Sequence, residues 1–240
     1  MTMPEGRAQA LHRLMGLCGL AGALLFFTGD MLFTGYFGSG AGFAEGMRRT
    51  VMQAAPGRLV AGGAIGPLAA CLCIVGFWHV YSNVLLSSKL WGQAMFAAFF
   101  AMMVAGSAVH TLWTAGGLAL KYCGGVSGPC SDLHGAIRSY WGLMYQISAA
   151  PGYVGALILL GLVLMRKTRY PRWTVLANPA VLFLLSQLGT RMPAPLGSVI
   201  VGGAANLSIA AFFLVSVATT WGRSMDTSAG EARTKLAYVD

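Results

Sequence analysis

Runs of twenty or more mostly apolar residues recur along nearly the whole of this 240-residue chain. A helix that crosses a bilayer needs about 20 such residues, whereas a soluble core of similar size is built from shorter, amphipathic segments. Charged residues make up only 10% of the chain, against about 25% in an average soluble domain. The chain therefore reads as an integral membrane protein whose first partner is the lipid bilayer. Soluble enzyme, nucleic-acid reader and disordered scaffold drop out as leading classes. The net charge of +9 does not restore a nucleic-acid partner, because the 16 Lys and Arg residues gather at the ends of the apolar runs. There they act as an orientation signal.

The expected fold class is all-α, a polytopic six-helix transmembrane bundle with spans near residues 14–37, 59–86, 90–120, 140–165, 173–190 and 195–221. The first run follows Arg7, His12 and Arg13 in the manner of a signal peptide. It outlasts the roughly 7–15 apolar residues of such a signal, so an uncleaved helix is expected. The fifth run is unusual. Asn178-Pro179 is a helix-start signature, and a helix from Pro179 to Arg191 would reach only about 20 Å, so a broken or re-entrant segment is expected. Residues 41–55 put Phe43, Met47 and Val51 on one helical face and Glu45, Arg48 and Arg49 on others, the pattern of a short interfacial amphipathic helix. Residues 1–13 read as a cytoplasmic N-terminus and 223–240 as a polar, disordered cytoplasmic tail.

Ten of the Lys and Arg residues fall in the termini, the 87–89 turn and the 166–172 loop, and six in the opposite loops. The positive-inside rule then places both termini on the cytoplasmic side of a bacterial inner membrane. Cys123 and Cys130 flank a Gly/Ser/Pro loop on the oxidising outer side, where a disulfide is expected, two unpaired thiols being the alternative. Asp132 and His134 do not complete a zinc set at any usual spacing, so no metal is expected.

Ionisable groups inside a bilayer are costly and mark candidate sites. Asp30 is the only acid within a span, and His110 reaches the same outer half from the third run, so these two form the candidate catalytic pair. Arg58, Trp113, Tyr145, Gln146 and Gln187 fall at similar depth, and Asn206 lies nearer mid-membrane. These six are the candidate substrate-binding residues, around a polar cavity open to the outer face and roofed by residues 41–55. The competing structural reading makes Asp30 interhelical glue, paired with Arg58 or His110. His79, within Phe77-Trp78-His79-Val80-Tyr81, is expected in an aromatic belt at the inner interface, and Trp91, Trp141, Trp173 and Trp221 as interface anchors. Gly62-x-x-x-Gly66 suits close helix packing. Gly62-Gly63-Ala64 recurs as Gly202-Gly203-Ala204, and residues 25–31 resemble 182–188 in the same direction, so that Asp30 would correspond to Gln187. Chance similarity among Gly/Ala/Leu-rich helices explains this echo equally well.

Three functional readings remain. In the first, Asp30 and His110 act as a cofactor-free acid/base pair, in an isomerase, cyclase or hydratase, on a lipid-soluble small molecule. In the second, the chain is a small-solute or proton-coupled carrier or channel, completed as a homodimer. The third is a haem protein, in which His79 and His110 lie too far apart in depth for bis-His ligation, leaving a single ligand at His110.

Gly29-Asp30, Gly62-Gly63, Tyr170-Pro171-Arg172-Trp173 before Asn178-Pro179, and Pro193-Ala194-Pro195-Leu196 leading to Gly202-Gly203 and Asn206 resemble a bacterial family of uncharacterised membrane proteins. The resemblance covers most of residues 20–215. It implies a multi-span membrane domain, no activity and no residue role.

Overall fold

A computed structural model describes residues 5–124 and 127–222, and no strand is present among them. The expected tail at 223–240 lies outside the described residues. Four long helices dominate: α1 (Glu5–Thr34), α3 (Pro56–Ser82), α4 (Lys89–Cys123) and α5 (Pro129–Leu164), with the short α2 (Phe43–Gln53) between the first two. All four are long and apolar enough to cross a membrane. They turn large apolar side chains outward near their middles, such as Leu68 at 60% and Leu157 at 62% exposure. Such a surface suits acyl chains and not water. Residues 5–13, ahead of the first apolar run, form the first turns of α1.

Local chemistry sets the boundaries. Pro56 and Pro129 open α3 and α5, in the first turn where a missing N–H leaves no bond unmade. Gly128, at φ +85°, holds the left-handed conformation that leads into α5. Cys123 and Cys130, on either side of this turn, are joined in a disulfide.

The α1–α3 seam is made of glycines. A Cβ on Gly19 would lie 2.7 Å from the Gly76 Cα, one on Gly22 2.7 Å from the Ala69 carbonyl, and one on Gly29 2.8 Å from the Gly62 carbonyl. Lipid tails are as apolar as leucine, so helices in a bilayer adhere through such backbone approach and packing. Beside the seam, Phe77 stacks on Phe99 with centroids 4.1 Å apart and meets Phe213 at 5.0 Å, all three fully buried.

The second half of the chain departs from the expected helices. Residues 173–190 are divided among a 3-10 segment (Arg172–Ala177), the eight-residue α6 (Pro179–Ser186) and a second 3-10 segment (Gln187–Arg191). Asn178 marks the restart: its side chain accepts from the Ala180 N–H at 3.0 Å and donates to the Ala156 carbonyl at 2.9 Å, tying α6 to α5. The final run is bent by 88° between α7 (Leu196–Gly202) and α8 (Ala204–Thr220). Helix length and composition thus give four spans, or five with the bent pair, among the described residues, and not six.

Two contacts fix which ends meet. The Arg13 Nε donates to the Trp221 carbonyl at 2.8 Å, so the start of α1 and the end of α8 share one end of the bundle, the terminal end. At the other, loop end, the Gly40 N–H donates to the Met192 carbonyl at 3.1 Å. The broken 172–191 segment connects the two ends. Its 3-10 pieces rise faster per residue than an α-helix, and together the pieces reach about 34 Å when collinear.

His79 occupies the expected end but not the expected surroundings. It is 1% exposed and belongs to a buried polar network instead of a water-facing belt. The His12 carbonyl can only accept, so His79 Nδ1 donates to it at 2.9 Å, and with a neutral ring His79 Nε2 accepts from Ser216 Oγ at 3.2 Å. The Tyr170 hydroxyl meets Ser216 Oγ at 2.7 Å, and Asn83 donates to His12 Nε2 at 3.1 Å. Burial pushes the Tyr170 phenol above the usual tyrosine range. Four elements are cross-linked at the terminal end by groups that would otherwise each be costly to bury.

Candidate functional site

Asp30 sits one turn from the loop-side end of α1, and His110 lies on α4 behind the glycines of α3. Gly66 makes this possible, because a Cβ there would lie 2.6 Å from the His110 Cβ. The stripe Gly62-x-x-x-Gly66 is therefore a packing device, and its effect is to seat the imidazole beside α1. His110 Nε2 lies 3.5 Å from Asp30 Oδ1. That is long for a hydrogen bond and within range of one after a small movement, as unliganded acid/base pairs often are.

The other carboxylate oxygen, Oδ2, accepts from the Asn206 amide at 2.7 Å. Asn206 arrives because α8 begins with a sharp bend at Gly202-Gly203, where a Cβ on Gly203 would collide with the Phe27 ring. The Thr34 hydroxyl donates to the Asp30 backbone carbonyl at 2.9 Å, closing the last turn of α1. Asp30 and His110 border a recess of about 20 Å³ that also touches Gly62 and Gly202, the first glycine of each copy of the internal echo.

Both side chains also line a cavity of about 420 Å³ with mostly apolar walls, including Phe26, Met102, Met103, Phe183 and Ile209. Trp113, Tyr145, Gln187 and Asn206 contribute to this lining, as does Phe43 at the start of α2. Tyr145 and Gln187 are exposed, so the cavity meets the outside between α5 and the α6 region. A smaller apolar pocket of about 80 Å³, lined by Tyr153, Pro179 and Phe183, continues along the same side. Towards the terminal end the Phe77, Phe99 and Phe213 cluster fills the bundle.

Two expected lining residues are elsewhere. Gln146 is exposed and absent from the cavity wall. One residue is about 100° of helix rotation, and the cavity face of α5 runs through Trp141, Tyr145, Ser148 and Ala149, which leaves Gln146 outside. Arg58 lies against Gly35 just beyond α1, where a Cβ would meet its guanidinium at 2.7 Å, and it pairs with neither Asp30 nor the cavity. Its position at the start of α3 points it to the end of α1 instead.

Trp141, expected as an interface anchor, is instead part of the cavity wall, its ring 4.8 Å from that of Trp113. Trp91, Trp173 and Trp221 are exposed, in keeping with anchors. Thr34 joins the site without having stood out in the sequence, and Phe43 comes from the 41–55 segment expected to roof it. The only available signal was spacing: Asp30 and Thr34 are four residues apart on α1, and Trp141 is four residues from Tyr145. No three His, Cys, Asp or Glu side chains converge on a metal-sized site among the described residues.

No match was found among curated proteins or among solved structures. A family model does match, over residues 8–221, which takes in all of the helices described above but the first three residues of α1, and both polar clusters. The chain belongs to the family of unknown function DUF6796.

Proposed function

We propose that this protein is a membrane-embedded acid/base catalyst for a lipid-soluble substrate, which enters from the side of the bundle between α5 and α6. The observation that carries the reading is the placement of Asp30, His110 and Asn206 in the wall of a largely apolar cavity that opens between α5 and the α6 region. In such a site one group takes a proton from a carbon of the substrate and the other returns one, and the pair re-equilibrates its protons with water between turnovers. Asn206 holds the carboxyl by its second oxygen and so orients the first. An isomerase, cyclase or hydratase needs no more than this.

A carrier would need a polar path continuing to the terminal end, where the phenylalanine cluster stands in the way. A pocket enclosed within one chain also makes no demand for a homodimer. Haem at His110 finds less support, because its Nε2 already faces Asp30. On this reading both termini are cytoplasmic and the cavity lies in the outer half of the membrane.

Solvent deuterium tests the proposal whatever the identity of the substrate. Purified protein is incubated in D2O with a total bacterial lipid extract, and the lipids are read by mass spectrometry. One lipid species should gain deuterium with the wild type and not with Asp30→Asn or His110→Gln. Incorporation that survives both substitutions, or none at all with the wild type, removes the acid/base reading.

A further inference from the structure

A second and larger concavity lies next to the cavity, between α2, the upper part of α4 and the first turns of α5. It encloses about 530 Å³. Its floor is apolar and aromatic, formed by Val51, Leu112, Leu120, Trp113 and Trp141. Its mouth carries Arg48 from α2 and His134 and Arg138 from α5. On α5 the groups at 134, 138 and 141 follow one face from the loop end inwards, so charge stands at the mouth and tryptophan at the bottom. This is the polarity of an amphiphile: an anionic head above and an acyl chain below.

Among the described residues no carboxylate balances the two arginines. The one acid at the mouth, Glu45, turns to Arg49 at 3.4 Å. Arg48 and Arg138 are exposed and meet no carboxylate among the described residues. A bilayer component satisfies these demands where a soluble anion would not, since the floor offers apolar surface continuous with long, lipid-length helices.

We infer that this groove binds one acyl chain of an acidic phospholipid, with its phosphate held between Arg48 and Arg138. Guanidinium groups suit phosphate because they donate two parallel hydrogen bonds to it. The inference is independent of the acid/base reading, because neither arginine at the mouth borders Asp30. Trp113 and Trp141 nevertheless line both spaces, so a chain seated in the groove lies against the wall of the cavity.

The test is native mass spectrometry of the full chain released from nanodiscs made of equal parts phosphatidylglycerol and phosphatidylcholine. The wild type should retain phosphatidylglycerol in preference by about tenfold, the scale of one charge-assisted hydrogen-bonded contact. The preference should vanish in Arg48→Ala/Arg138→Ala and survive in Arg48→Lys/Arg138→Lys. Gly116→Leu should also expel the lipid by filling the groove, because a Cβ at Gly116 meets only Ile137 at 3.8 Å and the helix has room for it. Asp30→Asn should leave the preference intact even where it abolishes deuterium exchange. Equal retention of the two lipids by the wild type overturns the inference, as does a preference that persists in the double alanine variant. Retention of a fatty acid alone, or of a second copy of the chain with no lipid, does the same.

Discussion

Gly19→Ala is the substitution for which the glycine seam makes the sharpest demand. A Cβ at this position would lie 2.7 Å from the Gly76 Cα and 2.7 Å from the Phe213 ring. Ordinary carbon contacts are about 3.5–4.0 Å, so α1 and α3 must part by about 1 Å, and the obstacle is backbone that cannot rotate away. Overpacking of this kind costs about 1–3 kcal/mol, and the better helix propensity of alanine returns up to about 1 kcal/mol. The expected net loss is about 1–2 kcal/mol. Gly142→Ala, in α5, supplies the control, because nothing lies within 4 Å of its Cβ and only the propensity gain remains. Cys73 is a built-in reporter: it is fully buried at the seam, with its Sγ 3.8 Å from the Gly19 carbonyl. With Cys18 and Cys71 replaced by Ser, maleimide labelling in detergent reads seam opening directly. Gly19→Ala should label about 5–30 times faster than the wild type, and Gly142→Ala no faster than it, since 1.4 kcal/mol is tenfold in population. Equal labelling rates and equal melting midpoints for the two variants would refute the account of how α1 and α3 hold together.

Other consequences are as specific. Tyr170 lies outside the long helices, and burial raises the pKa of its phenol. Above about pH 10 the unfolded chain releases a proton that the folded chain keeps, so stability should fall as pH rises from there. The fall should be smaller in Tyr170→Phe, and identical melting curves against pH for the two proteins would contradict it. Cys123→Ser opens the short disulfide loop and should cost about 2–3 kcal/mol by loop entropy, seen as a lower melting midpoint that reductant no longer changes. A single thiol placed in residues 223–240 should be labelled by an impermeant reagent only after cells are permeabilised. Labelling in intact cells reverses the orientation. Asn206→Leu removes the donor to Asp30 and should cost about 0.5–2 kcal/mol, with loss of deuterium exchange, whereas unchanged exchange would show that Asn206 does not orient the carboxyl.

Composition and periodicity were enough to establish an all-α chain with membrane-length helices, because the bilayer imposes a minimum apolar length that shows in the sequence itself. The glycine stripe of α3 and the loop cysteines were legible for similar reasons: each is a local requirement, written in a few adjacent residues. Depth was legible too, since 1.5 Å per residue puts Asp30 and His110 in one layer before any packing is known. Azimuth was not. Whether a side chain faces the cavity or the outside depends on how each helix is rotated against its neighbours, and a step of about 100° separates Tyr145 on the wall from Gln146 off it. The same ambiguity sent Arg58 to the end of α1 and brought Trp141 inward. The broken 172–191 segment and the bend at Gly202-Gly203 were also tertiary decisions. Asn178 finds its partner in Ala156 of α5, and Asn206 reaches Asp30 across 176 positions of sequence only because α8 starts where the chain turns. The network of His12, His79, Asn83, Tyr170 and Ser216 shows the principle most plainly: its members come from four separate segments, and only the fold makes one group of them.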